Sequence, residues 1–262
     1  MEILSRKLSE KTECLVTEIR SRSSLPVKFF TIELRPGGGD TSFGSTLTHP
    51  TDGIYKVWLR NDLPQEPFEA NLLHELYHTV QAESQYPEVY NKDSAEFHSK
   101  DQSFIQGVGG RLSSVILDLD VNTRLSQNGY SHSYFDAVNL EGMIRNKDYP
   151  YTGLQDPLNF ANLALAILHL SLSLEEGPLE SLYTAYSAYP RIIETVKELR
   201  EQIISVGVTT PLTAAACQAL LIDTFGLWKY YYVLSPSVKI RTHSDFLRFC
   251  EANQIDFASG NH

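Results

Sequence analysis

The run His74-Glu75-Leu76-Tyr77-His78 constrains this chain more than any other stretch, because it places two histidines four residues apart inside a segment that reads as a helix. From Pro67 to Gln85 (PFEANLLHELYHTVQAESQ) no Gly or Pro interrupts the sequence after its start, and Leu72, Leu73, Leu76 and Val80 recur at helical spacing. Acidic Glu66 and Glu69 suit a first turn, and Pro67 suits the first helical position. On such a helix, residues four apart share one face about one turn apart, so both imidazoles can reach a single ion. Glu75 then addresses a water held by that ion. HExxH on a helix predicts the active-site helix of a zinc hydrolase, with His74 and His78 as metal ligands and Glu75 as the catalytic base.

The chain has 262 residues and 42 per cent apolar content, enough for a core that needs no staples. A formal charge of −10 and a pI near 5.3 argue against nucleic acid as a partner, since a phosphate backbone calls for a basic surface. Cys14, Cys217 and Cys250 form no CxxC pair, so neither a disulfide framework nor a cysteine metal site is indicated. The first twenty residues are too charged for a signal peptide, and the apolar run Phe160–Leu174 is broken by Asn162, His169, Ser171 and Ser173. The expectation is a cytoplasmic protein with no membrane partner.

Residues 1–24 read as an amphipathic helix stopped by the Ser21–Ser24 cluster. Val27–Leu34 and Ile54–Arg60 read as strands, the first ending in a mobile Pro36-Gly37-Gly38-Gly39 loop. No Lys-Ser/Thr follows those glycines, so they are read as a loop and not as a phosphate cradle. A second long helix, about 101–127, carries Ile105, Val108, Leu112, Val115, Ile116 and Leu119 on one face and closes at Asn128-Gly129. Further helices are expected over 156–175, 178–187, 190–206, 210–224 and 243–252, the last capped by Ser244. Trp228–Tyr232 reads as a late strand or a packed connection, and His262 as part of a frayed terminus. The fold class is α+β and predominantly helical. A composition shift near Tyr149-Pro150-Tyr151 divides a catalytic region, 1–150, from a helical subregion, 151–262, packed on it as one structural unit.

A hydrolytic zinc site takes three protein ligands and leaves a position open, so a third ligand must lie elsewhere. The longer pattern HExxHxxGxxH is absent. Glu83, five residues past His78, is turned about 140° around the helix and cannot share the ion. Glu96, His98 and Asp101 lie in a polar segment and are minor candidates. The better candidate is Asp118, one of two acids interrupting the apolar stretch of the second helix, with Asn122 one turn on and able to hydrogen-bond a ligand histidine. Asp120, four residues before Arg124, reads as a surface ion pair and is the lesser choice. His169, in ANLALAILHLSLSL, reads as a hydrogen-bonded core or interface histidine.

With HELYH followed forty residues later by Asp118 and Asn122, the chain resembles the zincin metallopeptidases, and within them the gluzincin-like arrangement. There a second helix carries a Glu-x-x-x-Asp pair; Asp118 and Asn122 stand at the matching positions. The resemblance covers about residues 27–130 and implies a small β-sheet packed on the motif helix, whose edge strand, here Ile54–Arg60, binds an extended peptide. It also implies a Tyr or His from a later segment stabilising the oxyanion, for which Tyr130, His132, Tyr134 and Tyr151 are available. The expected function is a zinc peptidase with one Zn²⁺ per chain and a peptide or protein substrate. The alternatives are a zinc amidohydrolase acting on small amides and a non-catalytic sensor on the same fold.

Overall fold

A computed structural model describes residues 1–32, 43–48, 50–94, 98, 101–148 and 151–257. The expected Gly37–Gly39 loop, the candidate ligand Glu96, the break at Tyr149-Pro150 and His262 lie outside the described residues. The chain is α+β and predominantly helical. It divides into two compact units, one of residues 1–84 and 121–135, the other of 85–120 and 136–262.

The first unit opens with a hairpin of β1 (Glu2–Ile3) and β2 (Arg6–Lys7), where a helix is expected from sequence. Helix α1 (Glu10–Arg22) starts only at Ser9, whose hydroxyl accepts the Thr12 N–H, and ends at Ser23 as expected. Strands β3 (Val27–Thr31), β4 (Gly44–Leu47) and β5 (Tyr55–Leu59) form a sheet in the order β3-β5-β4, with β5 parallel to β3 and antiparallel to β4. The strand expected over Ile54–Arg60 is present as β5, and burial alternates along it: Tyr55, Val57 and Leu59 are buried, and Lys56 and Trp58 less so. Its place differs. The strand expected at the edge is the central one, paired on both sides, and among the described residues β4 lies at the edge. GSTL carries too little apolar content to announce a strand.

Helix α2 (Gln65–Glu83) packs on α1, β4 and β5. Pro64 is its N-cap and Pro67 its third residue, two positions later than expected. Every residue from Phe68 to Tyr77 is buried, so this helix has no solvent face there and its polar groups must find partners. Glu69 accepts the Ser9 N–H at 2.7 Å and the Ser9 hydroxyl at 2.6 Å, tying α2 to the start of α1. The Asn71 amide donates to the Phe43 carbonyl at 2.8 Å, tying it to the approach to β4.

Helix α3 (Gln102–Gln127) runs unbroken across the division between units, buries Ile105, Val108, Leu112, Val115 and Ile116 as the periodicity predicts but Leu119 only partly, and adds Val121 and Leu125 to the first unit's core. Gly129 ends it at φ 67, where a side chain would be strained, and the Tyr130 N–H closes back on the Leu125 carbonyl at 3.0 Å.

The second unit is built around α5 (Pro157–Ser173), α6 (Glu176–Ala185), α7 (Pro190–Val206), α8 (Pro211–Thr224) and α9 (His243–Asn253), each close to its expected span. Thr242, not Ser244, caps α9. A sheet has the order β6-β7-β8 (Glu88–Asn91, Tyr231–Leu234, Lys239–Ile240), and the aromatic run is a turn at Trp228–Tyr230 that leads into β7 at Tyr231. Helix α4 (Ser133–Arg145), which is not among the helices expected from sequence, joins the two units in sequence. Among the described residues no helix is long and apolar enough to cross a membrane.

Candidate metal centre

The spacing of four on α2 brings the two motif histidines together as the helix geometry requires: their Nε2 atoms are 3.3 Å apart. That separation is the edge of a tetrahedron whose vertices lie about 2.0–2.1 Å from its centre, the distance at which imidazole nitrogen binds zinc-like ions. Gln81, one turn beyond His78 and buried, presents its Oε1 to His78 Nδ1 at 2.9 Å. A carbonyl oxygen only accepts, so Nδ1 carries the proton and the Nε2 lone pair of His78 faces His74.

Asp118 is the third member of the cluster. It, His74 and His78 each offer a ligand atom, all within 4.8 Å of one another, a group that could hold a metal ion. Asp118 lies on α3, three residues before Val121. Its Oδ2 lies 3.0 Å from Nε2 of His169 on α5. His169 is paired with a carboxylate, but its side chain is half exposed and does not lie in the core.

Glu75, between the histidines, is buried against β4. The Thr46 hydroxyl lies 2.8 Å from both Glu75 Oε2 and the Glu75 carbonyl oxygen. Gly44 makes this approach possible: a Cβ there would stand 2.5 Å from Oε1 and 2.8 Å from Cγ of Glu75. The carboxylate is thus fixed by a strand that the sequence does not announce. Of the two intervening motif residues, Leu76 and Tyr77 face the core; burial pushes the Tyr77 phenol up, and Asn128 donates to its oxygen at 3.0 Å.

The remaining expected residues are dispersed. His132 stacks on His74 with ring centroids 5.2 Å apart and planes at 27°. Tyr130 has its hydroxyl 2.7 Å from the Thr12 hydroxyl and the Lys11 ammonium over its ring. Tyr134 is exposed and set edge-on to Phe135, and Tyr151 packs with Tyr186 and Tyr189 in the second unit. Asn122 has a buried Oδ1 with no hydrogen-bond partner among the described residues. Asp120 is not a surface residue as expected; it is buried, and Tyr86 donates to it at 3.3 Å. His98 pairs with Asp93 at 2.6 Å, and Asp101 caps α3 by accepting the Ser103 and Phe104 N–H groups.

Sequence reasoning misses Gln81, Thr46 and Gly44, and it reads His169 as a core or interface residue. Gln81 has a legible signal, a polar residue three after His78 on the same helix. The others come from distant segments and have none. Compared with protein-family models, curated proteins and solved structures, the chain matches none.

Proposed function

We propose that this chain is a zinc-dependent hydrolase of the zincin type, with the gluzincin-like order of ligands, acting as a peptidase. The observation that carries the reading is the pair of imidazole nitrogens 3.3 Å apart, with Asp118 in the same cluster and Glu75 between the two histidines on their helix. The donor set fits zinc: two neutral imidazoles and one carboxylate make three protein ligands and leave a position open. His74, His78 and Asp118 would hold it. A bound zinc ion supplies a water of lowered pKa and polarises the carbonyl to be attacked.

The chain's own residues then divide the work. Glu75 accepts the proton of the attacking water and returns it to the leaving amine. Thr46 and Gly44 keep its carboxylate in place. His132, stacked on His74, is the residue of the four candidates that adjoins the cluster, and it is proposed as the donor to the developing oxyanion. Asn122 offers its buried Oδ1 as an acceptor near the end of α3. An extended peptide is proposed to add along β4, since β5 is paired on both sides and β4 carries the groups that seat Glu75. The setting proposed is the cytoplasm.

The test is a peptide library and a panel of small amides incubated with the zinc-loaded chain and with Glu75→Gln. Cleavage of peptides that Glu75→Gln loses supports the peptidase reading. Cleavage of small amides alone favours an amidohydrolase, and zinc binding with no hydrolysis favours a sensor.

A further inference from the structure

His169 lies on a helix whose neighbouring residues Ile167, Leu168 and Leu170 are buried, yet it is directed at a carboxylate. Its Nε2 is 3.0 Å from Asp118 Oδ2, and the Asp118 side chain is 15 per cent exposed against 43 per cent for His169. The group that could hold a metal takes in Asp118 and not His169. We infer that His169 is a positioning residue for the metal centre: its Nε2–H holds one oxygen of Asp118 so that the other is presented to the ion.

The physical case rests on the freedom of an unrestrained carboxylate. The terminal torsion of an Asp side chain is broad, so a free Asp118 would sample orientations that turn neither oxygen toward His74 and His78. A fixed N–H donor narrows that distribution before the ion arrives, and the ordering cost of binding falls accordingly. Partners of this kind, which hydrogen-bond a ligating carboxylate, typically change metal affinity by about 10–100-fold when removed. As a stabilising contact the pair would count for little, because the imidazole is half exposed and solvent screens the interaction. Its consequence is therefore expected in metal affinity and not in the stability of the metal-free chain.

This inference rests on the metal reading, and the experiment separates the two. The zinc dissociation constant is measured by chelator competition for the full native chain, His169→Ala and His169→Gln, whose amide nitrogen stands close to the place of Nε2. Thermal unfolding of the metal-free forms is recorded alongside. The expected result is about 10–100-fold weaker zinc binding in His169→Ala, recovery of most of that loss in His169→Gln, and metal-free unfolding temperatures close to native in both. Should His169→Ala fail to fold, His169→Leu, which keeps bulk without a donor, takes its place in the comparison. Zinc binding unchanged or tighter without the imidazole overturns the inference, as does a loss that His169→Gln does not recover. A native chain that binds no zinc overturns the metal reading, and the inference with it.

Discussion

Thr46 holds Glu75: the hydroxyl of an edge-strand residue lies 2.8 Å from the carboxylate of the proposed base, on a helix 29 residues further along the chain. The carboxylate is buried, so the donor is not readily replaced by water. Thr46→Val keeps the shape and removes the hydroxyl. It is expected to cost about 1–3 kcal/mol in urea unfolding and to lower peptide turnover while leaving zinc stoichiometry at the native value.

Gly44→Ala should act on the same carboxylate by crowding. A Cβ 2.5 Å from Oε1, 2.8 Å from Cγ and 2.9 Å from Cδ of Glu75 forces the side chain aside. Overpacking of this kind costs about 1–3 kcal/mol, and turnover should fall with Glu75 displaced. Gly107→Ala, in α3, meets nothing within 4 Å and should stabilise the chain by up to about 1 kcal/mol. Parallel urea titrations of the two variants measure the contrast.

Gln81→Ala removes the acceptor that fixes the tautomer of His78. Zinc affinity by chelator competition should fall about 10–100-fold, as for other partners that orient a metal-binding histidine.

Acid should weaken the first unit through Glu69. Burial works against its charged form, but hydrogen bonds from Ser9, Thr12 and Gln65 outweigh it and hold the carboxyl below its ordinary value of 4.5. A carboxyl with a lowered folded pKa contributes stability that is complete above its unfolded value and lost as pH falls through the folded one. Unfolding free energy should therefore decline below about pH 4.5. Glu69→Gln should be less stable at pH 7 by about 1–3 kcal/mol and decline less steeply in acid, since it has no carboxylate left to protonate. Glu83, lowered by Ser24 and Tyr55 against the opposing effect of burial, leaves a residual slope in that variant.

How much of this was legible depended on length and on locality. The helical period over twenty-six residues places α3 to within a residue at its start, and a local pattern of two acids in its apolar stretch points to Asp118. The hairpin at Glu2–Lys7, β4 and β6 are strands of two to four residues with little apolar content, too short for alternation to register. Ile54–Arg60 was readable as a strand but not as a central one, because strand order is a long-range property. His169 was misplaced for the same reason: its own helix is apolar, and only the fold brings Asp118 to it.

The most direct test of the central claim is the metal content of the protein purified without chelator or added zinc, measured by elemental analysis for the native chain, His78→Ala and Asp118→Ala. The account predicts one zinc per chain in the native protein, none in His78→Ala and a reduced, weakly held amount in Asp118→Ala. A native chain with no metal, and none taken up on titration, would contradict the account, and zinc retained in full by Asp118→Ala would contradict the assignment of its third ligand.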